Sequence, residues 1–323
     1  MDGLIQFGIN FIIRFQALGD WLVAPMEFFS FLGSENVFLF VLPLLFWCVD
    51  AGLGIRIGII LLTSQVVNDV FKMAFHQPRP YWVSERVTGY ASETGFGVPS
   101  GHSHKPLAIF GMIAAHYKRT WVWILVLTVV FLIGLSRMFL GVHFPHDLLL
   151  GWFIGGVMLW AFIKYWNPVA ARLKQMSLGG QAATAFLVSL VFIALNALVV
   201  FLSRDFILPA EWIANATRAG GEAPNPFSIE GSVSAMGTLF GFCAGLAWIN
   251  TRGGYQVSGP LTKRVLRYIV GFLGVAILYF GLKMVFPDGE DVMALVFRYI
   301  RYTLVGAWIS AGAPWTFSKL QIS

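Results

Sequence analysis

The residues able to do chemistry fall in three short runs. Lys72 is followed after six residues by Arg79-Pro80, then comes Pro99-Ser100-Gly101-His102, and Ser136-Arg137 leads after five residues to His143 and after three more to Asp147. Three cations, a hydroxyl, two histidines and a carboxylate can hold a phosphate and pass its phosphoryl group through a histidine. Asp147 stands four residues after His143, so its carboxylate can hold the imidazole in one tautomer. A histidine held this way can attack phosphorus, with the aspartate stabilising the charge that develops. His102 can then protonate the leaving oxygen and later activate water. The transfer otherwise asks for positioning and charge stabilisation, which Lys72, Arg79, Arg137, the Ser100 hydroxyl and the Gly101 amide can supply. No cluster of several acids is present to hold two metal ions, so the expected chemistry needs no metal and no cofactor.

Nearby residues extend the set. Ser100 suits the cap of a helix opening at Gly101, whose unpaired N–H groups make an anion seat. Taken alone, the run reads equally well as a plain Ser-Gly helix start. Asn68 and Asp69 lie one turn before Lys72; Asp69 can orient or neutralise it, and a tolerated polar helix end is the plainer alternative. Lys105 lies one turn beyond the second run and has two readings, a headgroup contact or a pair with a nearby acid. His76 reads as peripheral. Arg298 and Arg301 share a helix face: they line a polar route, pair with Glu290 or Asp291, or snorkel outward.

The elements that must position these residues are set by composition. The chain has 323 residues, 57% of them hydrophobic and only 12% charged, with mean hydropathy +0.73. A soluble domain carries about twice that share of charge. Apolar runs of span length predict nine transmembrane helices, at about 36–53, 55–75, 101–117, 121–140, 146–166, 181–202, 230–250, 265–286 and 293–316. Asp2, Gln6, Asn10 and Arg14 put one polar stripe on an otherwise apolar segment, which predicts an interfacial N-terminal helix, a tenth span being the alternative. The expected fold is all-α, a polytopic helical bundle. Its expected blocks are 1–35 at the interface, a catalytic membrane core at 36–166, and additional transmembrane helices at 167–323. An acidic start without a basic n-region predicts no cleaved signal peptide. Cys48 and Cys243 lie within spans and read as small buried hydrophobes. The net charge of +6 is modest, and no basic-aromatic cluster points to nucleic acid.

Alternating the spans gathers Arg56, Lys118, Arg119, Lys164, Arg172, Lys174, Arg252, Lys263, Arg264, Arg267 and Lys319 on one side and most loop acids on the other. The positive-inside rule makes the first side cytoplasmic, which puts all three runs on the extracytoplasmic side. The stretch 203–229 is the longest polar connection and is expected to cap that face.

The ordered runs resemble the signature of the type 2 phosphatidic acid phosphatase family, Lys-x6-Arg-Pro, Pro-Ser-Gly-His and Ser-Arg-x5-His-x3-Asp, met here at every position over 72–147. The resemblance implies His143 as nucleophile, His102 as general acid, Asp147 as the support of His143, and Lys72, Arg79, Ser100, Gly101 and Arg137 as phosphate ligands. The region 28–50 and the phrase from Glu93 to Ser103 are similar to sphingosine-1-phosphate phosphatases. Arg79-Pro80-Tyr81-Trp82, His143-Phe144-Pro145-His146 and the nine spans are similar to glucose-6-phosphatase. The expected activity is hydrolysis of a membrane lipid's phosphate monoester or diphosphate, with the bilayer as partner. The alternatives are hydrolysis of a soluble sugar phosphate, or a non-catalytic carrier of a phosphorylated ligand. A carrier has no need of two histidines, one backed by Asp147. Oligomeric state is left open by the sequence.

Overall fold

A computed structural model describes residues 2–322; Met1 and Ser323, the ends of the expected 1–35 and 167–323 blocks, lie outside the described residues. The helices run in chain order α1 (Asp2–Gln16), α2 (Val23–Leu32), α3 (Glu35–Leu44), α4 (Ala51–Phe75), α5 (Pro80–Val83), α6 (Gly101–Tyr117) and α7 (Thr120–Phe139). They continue with α8 (Pro145–Lys174), α9 (Leu178–Leu202), α10 (Ala210–Arg218), α11 (Glu230–Asn250), α12 (Leu261–Lys283), α13 (Val292–Ala307) and α14 (Ala313–Lys319). No strand occurs among the described residues. The all-α expectation holds.

The count of nine spans is not matched. Seven described segments are long and apolar enough to cross a membrane: Ala51–Val83, Thr120–Phe139, Pro145–Lys174, Leu178–Leu202, Glu230–Asn250, Leu261–Lys283 and Val292–Lys319. An eighth candidate is a pair, Asp20–Leu32 and Glu35–Val49, bent by 47°. Two expected spans therefore differ. The segment at 36–53 ends at Val49, because Asp50 turns extended and its carboxylate accepts from the Leu53 N–H at 2.8 Å to start α4. The segment at 101–117 is a helix of 17 residues, about 25 Å long, against a hydrocarbon thickness of about 30 Å. Its first turn is spent on polar residues of the second run rather than on lipid.

In α1, Gln6, Asn10 and Arg14 are exposed, as the stripe predicts; the Asp2 side chain lies outside what is described. The opposite face is not uniformly lipid-like. Ile9 and Ile12 are buried in a core with Phe139, Phe144 and Trp82, so one apolar stripe of α1 packs against protein.

The chain forms two compact units. The first comprises Met1–Val37, Val67–Trp160 and Leu198–Ser228, and the second Phe38–Val66, Ala161–Ala197 and Ile229–Ser323. The units interleave along the chain. Complementary helix faces find each other without regard to chain order. Every residue of the three runs belongs to the first unit. There α6 and α8 approach closely because Gly151 lacks a side chain: a Cβ on it would stand 2.7 Å from the Ser100 carbonyl oxygen.

In the second unit α11 and α13 are the closest pair, with Gly241 against the Thr303 carbonyl. Arg298 bonds Glu230, and Arg301 faces Asp288 at 4.0 Å and the rings of Tyr279 and Tyr302. The pairing reading is realised with Glu230 and Asp288, while Asp291 caps α13 by accepting from the Ala294 N–H at 2.9 Å. Cys48 and Cys243 are free thiols.

Candidate active site

The third run folds into a hinge between α7 and α8. Pro145 opens α8, its missing N–H costing nothing in the first turn. His143 sits just before it, buried, and Asp147 one turn in, fully buried. The i, i+4 spacing brings His143 Nδ1 to 3.1 Å from Asp147 Oδ2, which also accepts from the Phe144 N–H at 2.9 Å. A carboxylate at Nδ1 accepts a hydrogen bond from the ring N–H, keeps the proton on that nitrogen and leaves the lone pair on Nε2. That Nε2 faces Arg79 Nη1 at 3.4 Å.

The second run is tied to the same helix. The Ser100 N–H donates to the Asp147 carbonyl at 3.0 Å, and Asn68 Nδ2 donates to the Pro99 carbonyl at 3.3 Å. Ser100 Oγ is buried with no protein partner, and it is a hydroxyl at the start of α6. A Cβ on Gly101 would lie 3.1 Å from Asn68 Oδ1, so only glycine leaves this amide open to close approach. Gly97 is equally confined: its N–H donates to the Gln77 carbonyl at 2.8 Å, and a Cβ there would stand 2.7 Å from the Pro78 carbonyl and 3.2 Å from Asp147 Oδ2. His102 is half-buried at the second residue of α6, amid the charges of Arg137, Glu93, Lys105 and Lys72.

The cations arrive from three elements. Lys72, near the end of α4, has Asp69, Arg79 and Glu93 among the charges it feels. Arg79 is fully buried and mostly structural: Nε donates to the Gly95 carbonyl at 2.6 Å, Nη1 to Val142 at 3.0 Å and Nη2 to Phe96 at 3.1 Å. Of the five donors of a guanidinium, the remaining two face His143 Nε2 and, at 3.6 Å, the Glu93 carboxylate. Arg137, from the last turn of α7, donates through Nη1 to Ser30 Oγ at 2.6 Å and through Nη2 to Glu93 Oε1. Its Nε has no protein partner.

Three contributors were not marked in the sequence reading. Glu93, counted there only as a loop acid, binds both arginines of the signature. Ser30, at the end of α2, orients Arg137, and Glu35, opening α3, bonds Lys105 Nζ at 2.7 Å. The last contact realises the pairing reading of Lys105. The only sequence hint was Glu93 itself, an acid in a loop that must carry an anion; Ser30 and Glu35 lie more than 60 residues from their partners. His76 is indeed peripheral, stacked on Phe206 with ring centres 4.5 Å apart.

Electrostatics suit a nucleophile and an anion clamp. Burial, reinforced by the charges of Arg79, Arg137 and Lys72, holds the His143 imidazole well below its ordinary pKa and so neutral at neutral pH. Burial would raise the Glu93 carboxyl, yet Arg137 and Arg79 outweigh it and hold this carboxyl well below the usual range. No group of three or more His, Cys, Asp or Glu side chains that could hold a metal ion occurs among the described residues.

The chain is similar to known proteins over most of its length. The family model of the PAP2 superfamily matches residues 53–170, and that of the PAP2 superfamily phosphatase transmembrane extension matches 233–323. Glucose-6-phosphatase 3 of Bos taurus is 26% identical over 98% of this chain and 95% of its own. Phosphatidylglycerophosphatase B of Bacillus subtilis is 28% identical over 48% of this chain and 80% of its own. The crystal structure of Aquifex aeolicus LpxE superposes with a TM-score of 0.42 at 25% identity, covering 49% of this chain and 93% of that one. The two matched regions lie one across the motif-bearing helices and one across the last three membrane segments, and on that basis the chain belongs to the PAP2 superfamily of membrane phosphatases.

Proposed function

We propose that the protein hydrolyses a phosphate ester through a phosphohistidine. His143 Nε2 attacks phosphorus and the ester P–O bond breaks. The leaving oxygen takes a proton from His102. Water, deprotonated by His102, then attacks the phosphohistidine, the P–N bond breaks, and orthophosphate leaves. Asp147 holds the His143 ring throughout and stabilises its positive charge. Lys72, Arg137, the Arg79 donor that faces His143, the Ser100 hydroxyl and the Gly101 amide receive the equatorial oxygens. The observation that carries this reading is the His143 ring itself. It is pinned at Nδ1 by Asp147 and aims Nε2 at a guanidinium 3.4 Å away. No step calls on a metal ion.

For the substrate, a lipid phosphate is the first reading. The reacting residues lie at the ends of membrane-spanning helices α4, α7 and α8, where a headgroup can react while its tail stays in the bilayer. A soluble sugar phosphate is the second, favoured by the glucose-6-phosphatase relatives, whose similarity runs the whole length of the chain. The loop charges support an extracytoplasmic site in either case. The deciding experiment is phosphate release by purified protein in detergent with EDTA present. The panel is sphingosine-1-phosphate, phosphatidate, undecaprenyl diphosphate and glucose-6-phosphate. Turnover of one lipid establishes the first reading, turnover confined to glucose-6-phosphate the second. Activity that EDTA removes, or none on any substrate, refutes the metal-independent phosphatase.

A further inference from the structure

Glu93 is out of place in an anion site. Its carboxylate engages Arg137 Nη2 through Oε1 and faces Arg79 Nη2 at 3.6 Å through Oε2. The reacting phosphate is left with the Arg79 Nη1 donor that faces His143 and with Arg137 Nε, which has no protein partner. The Glu93 side chain is only partly exposed, and both arginine side chains are essentially buried, so water screens this arrangement weakly. Charge bookkeeping makes the point sharper. Lys72, Arg79 and Arg137 bring three positive charges, and Glu93 takes one back. Asp69, within reach of Lys72, reduces the surplus further. Lys105 is the next cation along α6, but Glu35 matches it at 2.7 Å. What remains, about one to two positive charges, is nearer the charge of one terminal phosphate, roughly −1.5 to −2 near neutral pH, than that of a diphosphate. A diphosphate brings about one charge more and a second set of oxygens, and the donors it would use are held by Glu93.

We propose that Glu93 is a specificity-determining residue that restricts the site to a single phosphate group. By occupying guanidinium donors of Arg79 and Arg137, its carboxylate excludes the second phosphate of a diphosphate ester. The proposal rests on the phosphatase reading of the site and narrows it to monoesters. An acid on two buried arginines also has a structural alternative, that it merely holds Arg137 in place. The two differ in what substitution does to selectivity: a loosened Arg137 weakens every anion, whereas removal of a competing charge favours the more highly charged one.

The test is calorimetric binding of orthophosphate and of methylenediphosphonate, a non-hydrolysable diphosphate, to the full-length protein in detergent. Wild type is expected to bind orthophosphate at least tenfold more tightly. Glu93→Gln is expected to bring the two affinities within about threefold, chiefly by tightening the diphosphonate, and Glu93→Asp, which keeps the charge, to retain most of the preference. A wild type that binds both equally, or prefers the diphosphonate, overturns the proposal without any variant. So does a Glu93→Gln protein that weakens both anions in proportion. Turnover of a monoester, measured alongside, separates the two readings. Hydrolysis without anion selectivity removes the proposal alone, whereas selectivity without hydrolysis leaves it standing and removes the phosphatase mechanism.

Discussion

At the scale of single residues, the site turns on one imidazole and what holds it. Asp147 both accepts from His143 Nδ1 and caps the backbone at Phe144, so one carboxylate fixes ring and loop together. His143→Ala should lower turnover by on the order of 10⁵-fold. Asp147→Asn should cost about 10²- to 10⁴-fold by permitting the wrong tautomer. Single-turnover kinetics with acid-quench trapping of the phosphoenzyme checks both. Full activity in His143→Ala would end the covalent mechanism. The neutral, buried ring also has a thermodynamic signature. Its folded pKa lies well below the ordinary value of about 6.5, so in that interval the unfolded chain binds a proton that the folded protein does not. Stability from this group therefore falls as pH drops below about 6.5. Wild type should lose melting temperature relative to His143→Gln between pH 8 and 5, and a pH-independent difference would contradict the assignment.

At the scale of elements, the phosphate loop 84–100 has no regular structure of its own and is held by its neighbours. Arg79 gathers the Gly95, Phe96 and Val142 carbonyls, joining the loop to the α7–α8 hinge. The segment 203–229 holds it from outside: the Asn225 N–H donates to the Thr94 carbonyl at 3.0 Å, and the Glu222 N–H to Ser92 Oγ at 3.2 Å. Buried Asn215, on α10, donates to the Trp82 carbonyl at 2.9 Å. Removing it leaves a carbonyl without its donor, so Asn215→Ala should destabilise by about 1–3 kcal/mol. A lowered melting temperature with a nearly unchanged KM is the expected outcome, and unaltered melting would show that α10 does not anchor the loop. The capping role expected for this stretch from its polarity thus has particular bonds behind it. The bonds themselves had no sequence signal, because a backbone carbonyl accepts from any donor brought to it.

At the scale of the whole molecule, the proposed orientation makes a labelling prediction. Residues 203–228 belong to the compact unit that holds the three runs, and Ala223 among them is exposed; Ser177, between α8 and α9, is exposed in the Arg172 and Lys174 region. In a background with Cys48 and Cys243 replaced by serine, Ala223→Cys should react with a membrane-impermeant maleimide on intact cells. Ser177→Cys should react only after permeabilisation. The reverse pattern would put the site on the cytoplasmic side. The last three membrane segments share a unit with Phe38–Val66.

The sequence by itself determined the membrane class and the all-helical fold, and it named the candidate site residues that the fold brings together. Each of these is written in short-range pattern: apolar runs of span length, a carboxylate four residues from a histidine, a Ser-Gly step at a helix start. Its count of nine spans is unconfirmed at two places, 36–53 and 101–117. Residues 101–117 form a helix of 17 residues, the short end of span length, whose first turn is polar. Only the tertiary structure decided that Ser30 orients Arg137, that Glu35 neutralises Lys105, and that Glu93 occupies the arginines. It also decided that Arg79 serves carbonyls before it serves phosphate. Those pairings join residues 14 to 107 positions apart in the chain, and a guanidinium's partners depend on which groups packing brings within about 3 Å. Spacing along the chain does not encode that distance; the packing of helix faces does.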